Sequence, residues 1–212
     1  MIDEESGLKR VRFEIPAVLP DAITEAEWER RELMERRREV ARRFSRYIRQ
    51  NIYQAFIRDE LKETSTLRVV REFLIAPEQI LILAGPPGTG KTIAVLDALC
   101  RIRGDMVKAM NISQATNPWG DEASRFDQIH IWQPLLGIDD LGVERDVTQR
   151  FITDLGMVLD ERQGVMRDGG LFKTIITTNM KPSEVKSRYG ERTRDRFNGL
   201  TLEKIIIEGS MR

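Results

Sequence analysis

An eight-residue stretch, Gly85-Pro-Pro-Gly-Thr-Gly-Lys-Thr92, constrains this chain more than any other feature. It lies between an apolar run, Gln79 to Ala84, and an amphipathic stretch, Thr92 to Ile102. That order predicts a buried strand, a glycine-rich loop and a helix. The pattern fits G-x-x-x-x-G-K-[ST], whose glycines let the backbone wrap closely around phosphate groups. Gly85, Pro86 and Pro87 lead into the loop. The amides of Gly88, Thr89, Gly90 and Lys91 are expected to point at the anion, and the helix N-terminus adds its positive dipole end. Lys91 is expected to reach the outer phosphates, and the Thr92 hydroxyl to bind Mg²⁺.

Downstream, short apolar runs alternate with amphipathic stretches. The runs are Ile80 to Ala84, Met106 to Ile112, Leu135 to Ile138, Thr174 to Thr178 and Lys204 to Ile207. Five buried strands with helices between them predict a parallel α/β sheet covered on both faces. Two of these strands end in polar groups. Gln133-Pro-Leu-Leu-Gly-Ile-Asp-Asp-Leu141 ends in two carboxylates at the edge where such sheets bind ligands. Asp139 is expected to hold Mg²⁺ through water, and Asp140 to orient or polarise an attacking water. Lys173-Thr-Ile-Ile-Thr-Thr-Asn-Met180 ends in Thr178 and Asn179. Asn179 is expected to hydrogen-bond the γ-phosphate or that water. Finally, Arg188-Tyr-Gly-Glu-Arg-Thr-Arg-Asp-Arg-Phe197 packs four Arg into nine residues, more than Glu191 and Asp195 can pair. One reading is a solvated basic patch. The other is an arginine finger acting on a nucleotide held by a neighbouring subunit.

Residues 25–75 read as helical. The run from Glu25 to Gln50 carries nine Arg and six Glu, with Val40, Phe44, Tyr47 and Ile48 spaced as one face. It suits either a solvated helix packing one stripe on the core or a partner-binding helix. Composition excludes other classes. Cys100 is the only cysteine, so no internal disulfide forms and a reducing, cytoplasmic setting is expected. With His130 the only histidine, a zinc finger or a Ser-His-Asp triad is not expected. No apolar stretch of about 18 residues exists, so no membrane span is expected. The 34 basic and 34 acidic residues cancel, which argues against a generally basic nucleic-acid coat. The basic set leans to Arg, 26 against 8 Lys, the side chain suited to bidentate pairing with carboxylate or phosphate.

With these motifs in this order the chain resembles an AAA+ ATPase. More narrowly, it resembles the DnaC/DnaI helicase loaders and the IstB transposition helper, over roughly Ile52 to Arg212. The Gly-Val-Glu144 after Asp-Asp-Leu is similar too, as are the Ile-Glu-Gly-Ser-Met-Arg212 ending and the Asn51-Ile-Tyr-Gln-Ala-Phe-Ile57 segment, which in the family lies near the adenine. The resemblance implies ATP and Mg²⁺ as ligands, slow ATPase turnover stimulated by DNA or a partner, and a P-loop core with five parallel strands ordered 5-1-4-3-2. It implies an N-terminal helical extension, 1–50, that grips a partner, before an ATPase core, 51–212. Lys91, Thr92, Asp139, Asp140 and Asn179 would carry the ATP site. Arg196 matches the family's finger position best, with Arg192 the alternative. Trp119, within 114–132, falls where relatives line a DNA channel, though a packed Trp is the plainer reading. The partners implied are a hexameric replicative helicase, single-stranded DNA and further copies of the chain. An IstB-like helper would instead engage duplex DNA and a transposase. A monomeric small-molecule kinase would need no finger in trans. Three departures stand out. The sequence stops at Arg212, so no helical lid domain of the kind larger AAA+ proteins carry is expected. Many AAA+ proteins carry Glu where this chain has Asp140, and no cysteine cluster supports the zinc-binding N-terminus of some loaders.

Overall fold

The computed structural model describes residues 24–109, 133–143, 149–162, 166–167, 170–181, 183–185, 187–190 and 201–206. The chain divides into two compact units, Met1–Glu32 and Leu33–Arg212. In the first, helix α1 (Glu25–Arg43) begins with a reciprocal cap. The Glu27 amide donates to Thr24 Oγ1 at 3.3 Å, and the Thr24 amide donates to Glu27 Oε2 at 3.0 Å. Two otherwise unpaired amides are satisfied in this way.

The helical region is not continuous. A 3-10 turn, Ser45–Tyr47, follows α1, then α2 (Gln50–Ile57) and α3 (Ser65–Ile75). No proline marks the first break. Ile48 and Arg49 adopt extended backbone instead, which restarts the helix after Phe44 and Ile48 have both entered the core. The expected boundary at 50/51 thus falls inside the second unit, where Ala41, Phe44 and Ile48 share a buried cluster with α3 and the sheet. Thr64 caps α3 by accepting from the Leu67 amide at 3.2 Å.

Next come β1 (Ile80–Ala84), α4 (Lys91–Arg101), β2 (Gly104–Lys108), β3 (Leu135–Leu141) and α5 (Gln149–Arg162). A two-residue antiparallel ladder, β4 (Met166–Arg167) with β5 (Gly170–Leu171), precedes β6 (Lys173–Thr178) and β7 (Thr201–Ile206). The five long strands form one parallel sheet in the order β2-β3-β6-β1-β7. Three expected runs moved: β2 spans Gly104–Lys108 where Met106 to Ile112 was expected, β3 runs on through both carboxylates to Leu141, and β7 starts at Thr201.

The period-2 pleat sorts the apolar residues onto two faces. Leu81, Leu83, Leu135 and Ile175 join the cluster with α3 and α4, whereas Ile80, Leu136, Ile138 and Ile176 join Phe151, Leu155 and Leu159 of α5. A Cβ on Gly137 would stand 2.5 Å from Val95 Cγ1, so glycine lets α4 lie directly on β3. At the other end of the sheet Arg162 is buried and ties the strand starts together. Its Nε donates to Thr174 Oγ1 at 2.9 Å, and its Nη groups donate to the carbonyls of Gln133 at 2.9 Å and Lys173 at 2.7 Å. Burial pushes its guanidinium down to about 10. Lys173, also buried, donates to the carbonyls of Phe73, Ala76 and Glu78 around the end of α3. Among the described residues no helix is long and apolar enough to cross a membrane.

Candidate nucleotide site

The strand, loop and helix of the leading motif fold as its spacing predicts. β1 ends at Ala84, and the Gly85 amide donates to Thr178 O at 3.2 Å, carrying the pairing with β6 past the strand end. Gly88 and Gly90 have φ of 87° and 83°, a left-handed conformation that favours glycine. Gly90 is the N-cap of α4 and brings no side chain to its first amides. Those amides are therefore left for a ligand, and the helix dipole makes an anion the suitable one. The loop is also tied from behind: Thr66 of α3 donates to Thr89 O at 2.9 Å, and Thr89 Oγ1 to Pro86 O at 3.1 Å.

Side chains from the start of α4, from β3 and from the end of β6 converge on this loop. Lys91 Nζ donates to Gly85 O at 2.7 Å, Pro86 O at 2.9 Å and Asn179 Oδ1 at 2.9 Å. Thr92 Oγ1 donates to Asp139 Oδ1 at 2.9 Å, and Thr177 Oγ1 donates to the same oxygen at 2.8 Å. The Asp140 amide in turn donates to Thr177 Oγ1 at 2.9 Å. The Asp140 carboxylate pairs with Lys108 at the end of β2, 3.2 Å away. Asp140 itself has φ of 59°, and the β3–β6 register shifts between Ile138 and Leu141. This local irregularity turns the two carboxylates to different partners.

The electrostatics suit a cation beside Asp139 and an anion beside Lys91. Burial raises the Asp139 carboxyl above its usual range, the hydrogen bonds from Thr177 and Thr92 oppose this, and the Asp140 charge adds to it. Burial likewise lowers the Lys91 ammonium, while Asp140 and Asp139 hold it up. A cleft of about 260 Å³ joins these groups to the other wall, formed by Tyr47, Arg49, Asn51 and Ile52. The residues fit a nucleoside triphosphate with its metal. Uncapped amides and Lys91 would face the phosphates, Thr92 and Asp139 offer the hard oxygens Mg²⁺ takes alongside water, and Tyr47 and Ile52 give the other wall an aromatic and an apolar surface beside Arg49 and Asn51.

The expected set Lys91, Thr92, Asp139, Asp140 and Asn179 is therefore brought together at one sheet edge. Three participants were not singled out from the sequence. Thr177, not its neighbour Thr178, faces Asp139; Thr178 donates to Leu141 O at 2.7 Å instead. Strand alternation offers the signal, since only one of two adjacent threonines can face the acid. Lys108 and Thr66 carry no local signal, because their partners are 32 and 23 residues away. Tyr189, at the head of the arginine-rich segment, is buried against Phe151 with ring centroids 6.3 Å apart. Arg192 and Arg196 lie outside the described residues, as do Trp119, His130, Glu144 and Arg212.

This parallel sheet, with a glycine-rich phosphate loop after β1, two carboxylates closing β3 and Asn179 after β6, is a fold also found among solved structures. Three solved structures share it. AMPPCP-bound DnaA from Aquifex aeolicus superposes with a TM-score of 0.57 at 19% identity, over 69% of this chain and 49% of that one. DnaI gives 0.54 at 20% identity, over 70% and 85% of the two chains. A primosome component assigned in Streptococcus pyogenes serotype M3 gives 0.51 at 21%, over 69% and 78%. This chain thus matches about half the length of the DnaA structure. No protein-family model matches the sequence, and no curated protein sequence does.

Proposed function

We propose that this chain is an ATP-binding and ATP-hydrolysing DNA replication factor that loads a hexameric replicative helicase onto single-stranded DNA. The observation that carries the reading is the convergence of Lys91, Thr92, Asp139, Asp140 and Asn179 on one phosphate loop. The names DnaA, DnaI and primosome component, borne by proteins of the same fold, support replication initiation as the setting. In this reading the loop amides and Lys91 bind the phosphates of ATP. Thr92 and Asp139 hold Mg²⁺, which supplies charge neutralisation at the phosphates. Asp140 orients the attacking water, and Asn179 keeps Lys91 aimed and contacts the outer phosphate. Because Asp140 is short and already paired with Lys108, turnover is slow. ATP then serves as an assembly switch: it favours one arrangement of subunits, and hydrolysis releases it.

Arg196 is the finger we assign to the neighbouring subunit's nucleotide, with Arg192 the next candidate. Such a finger is worth roughly 10³–10⁵ in rate. The reading is tested by capture from the source cells on beads bearing a non-hydrolysable ATP analogue, beside Lys91→Ala as the control. Recovery of a hexameric helicase with the native chain and not with Lys91→Ala supports it. Recovery of a transposase without helicase replaces it with the IstB-like reading. Within the assembly, Arg196→Ala should retain ATP binding and lose hydrolysis.

A further inference from the structure

Beyond the far end of α4 from the nucleotide cleft, a second groove opens, about 380 Å³ in volume. It lies between α1, the last turn of α4 and the start of β2. Arg36, Arg43 and Arg103 form its rim, and Val40, Phe44 and Leu99 are among the residues beneath them. Arg36, Val40 and Arg43 follow one another at i, i+4 and i+7, so a single face of α1 supplies one wall.

The rim is more positive than the chain as a whole. The chain is neutral, with 34 charges of each sign, yet three guanidinium groups meet one lining carboxylate, Glu39. Asp105 pairs with Arg43 at 2.6 Å, and the Arg43 side chain still stays 50% exposed. Arg36 donates to Arg101 O at 3.4 Å, at the end of α4. Arg103 is exposed; its carbonyl accepts from the Leu135 amide at 3.2 Å, and its guanidinium has no hydrogen-bond or ion-pair partner among the described residues. A guanidinium presents a planar fork that matches a carboxylate with two parallel hydrogen bonds. The apolar patch beneath removes water from one side of any group seated there.

We propose that this groove docks a peptide segment of a partner protein in which one apolar side chain is flanked by carboxylates. Charge complementarity selects the carboxylates, and the Val40, Phe44 and Leu99 floor selects the apolar side chain between them. A nucleic-acid backbone suits the groove less well, because it repeats a charge at every unit and has nothing to lay on an apolar floor. The docking surface goes beyond the nucleotide reading and stands without it, since none of its lining residues lines the nucleotide cleft.

The test uses the full chain and fluorescence anisotropy with three short labelled peptides: Asp and Glu flanking one Leu, the same with Lys for the acids, and the acidic one with Ser for Leu. A thymidine oligonucleotide is the fourth probe. The acidic Leu peptide should bind, more weakly at high salt. Arg103→Glu should weaken it at least about tenfold with an unchanged melting curve, as expected for a charge reversal at a contact rim. The Ser peptide should bind at least about tenfold more weakly, since the floor then gains nothing. Equal binding of the Lys peptide overturns the proposal, as does unchanged affinity in Arg103→Glu. Oligonucleotide binding that displaces the peptide and is lost in Arg103→Glu assigns the groove to nucleic acid and overturns it too. Self-association that Arg103→Glu abolishes and the peptide cannot block gives the groove to a second copy of this chain, with the same consequence.

Discussion

Helix α4 carries a charged cluster at each end, and the two are built on opposite terms. Toward its C-terminus, Asp97 is fully buried, and both its oxygens are taken by cations. Arg37 of α1 pairs with one oxygen; Arg71 of α3 and Arg101 of α4 donate to the other at 3.1 and 2.9 Å. Arg37 also pairs with Asp59 and donates to Phe56 O at 2.9 Å. At the N-terminus, Lys91 leans on neutral carbonyls and an amide, and Asp139 on two hydroxyls. The pKa directions record the difference. Burial alone would raise Asp97, but the hydrogen bonds from Arg101 and Arg71 and the charge of Arg37 outweigh it and hold the carboxyl below its usual range. Asp139 moves the other way. A charge saturated by opposite charges holds four helical segments in register. A charge whose direct hydrogen-bond partners are all neutral keeps room for an opposite charge to join it, which is how a site stays ready for a ligand.

The largest effect should come from the saturated end. Asp97→Asn leaves Arg37 buried without its full partner and should cost about 3–5 kcal/mol. For a chain of this size that is a melting-point drop of roughly 6–20 °C, read by calorimetry. Its acid profile gives a second check. A depressed folded pKa contributes stability that is complete above the ordinary Asp range and is lost as pH falls through the folded value. The native chain should therefore lose stability on acidification more steeply than Asp97→Asn. Equal slopes would break the comparison.

At the other end the effect should appear in ligand affinity and not in folding. Lys91→Ala should weaken binding of a fluorescent ATP analogue at least about tenfold, since a charge-assisted contact to phosphate is worth about 1.5–3 kcal/mol, and should barely move the melting point. Thr177→Val removes hydrogen bonds to both Asp139 and the Asp140 amide, and should cost about 1–2 kcal/mol by chemical denaturation. The smallest change is also the sharpest. Asp139→Asn keeps the acceptor oxygen and deletes a buried charge that burial disfavours and whose direct hydrogen-bond partners are neutral hydroxyls. Without ligand its melting point should stay level or rise by a few degrees, while Mg²⁺-dependent nucleotide binding falls. A clear drop in melting point would show that Asp139, like Asp97, is there for the fold.

The two clusters were unequally legible in the sequence. The phosphate loop, both carboxylates and Asn179 each follow a recognisable strand, and their roles depend on short spacings. The Arg37–Asp97–Asp59 network depends on pairs 60 and 22 residues apart, and an arginine-rich amphipathic helix looks the same whether one of its guanidiniums is buried or none is. The break at Ser45–Tyr47 had no proline or glycine to announce it; it follows from where Phe44 and Ile48 must go. Lys173 and Arg162 read as ordinary polar residues at element ends, and only the packed structure shows their stems buried and their heads on backbone carbonyls.

The left-handed backbone at Asp140 also bears on how this site can be altered. Among side-chain-bearing residues, Asp and Asn tolerate φ near 60° best, because their short polar groups bond locally. Glutamate there would meet a backbone penalty before its extra methylene brought any catalytic gain. Under the proposed function, a single substitution that lengthens the acid is thus a poor route to faster turnover. The accessible route is a paired one, in which the strand irregularity between Ile138 and Leu141 is first straightened and the longer acid then fits an ordinary strand conformation.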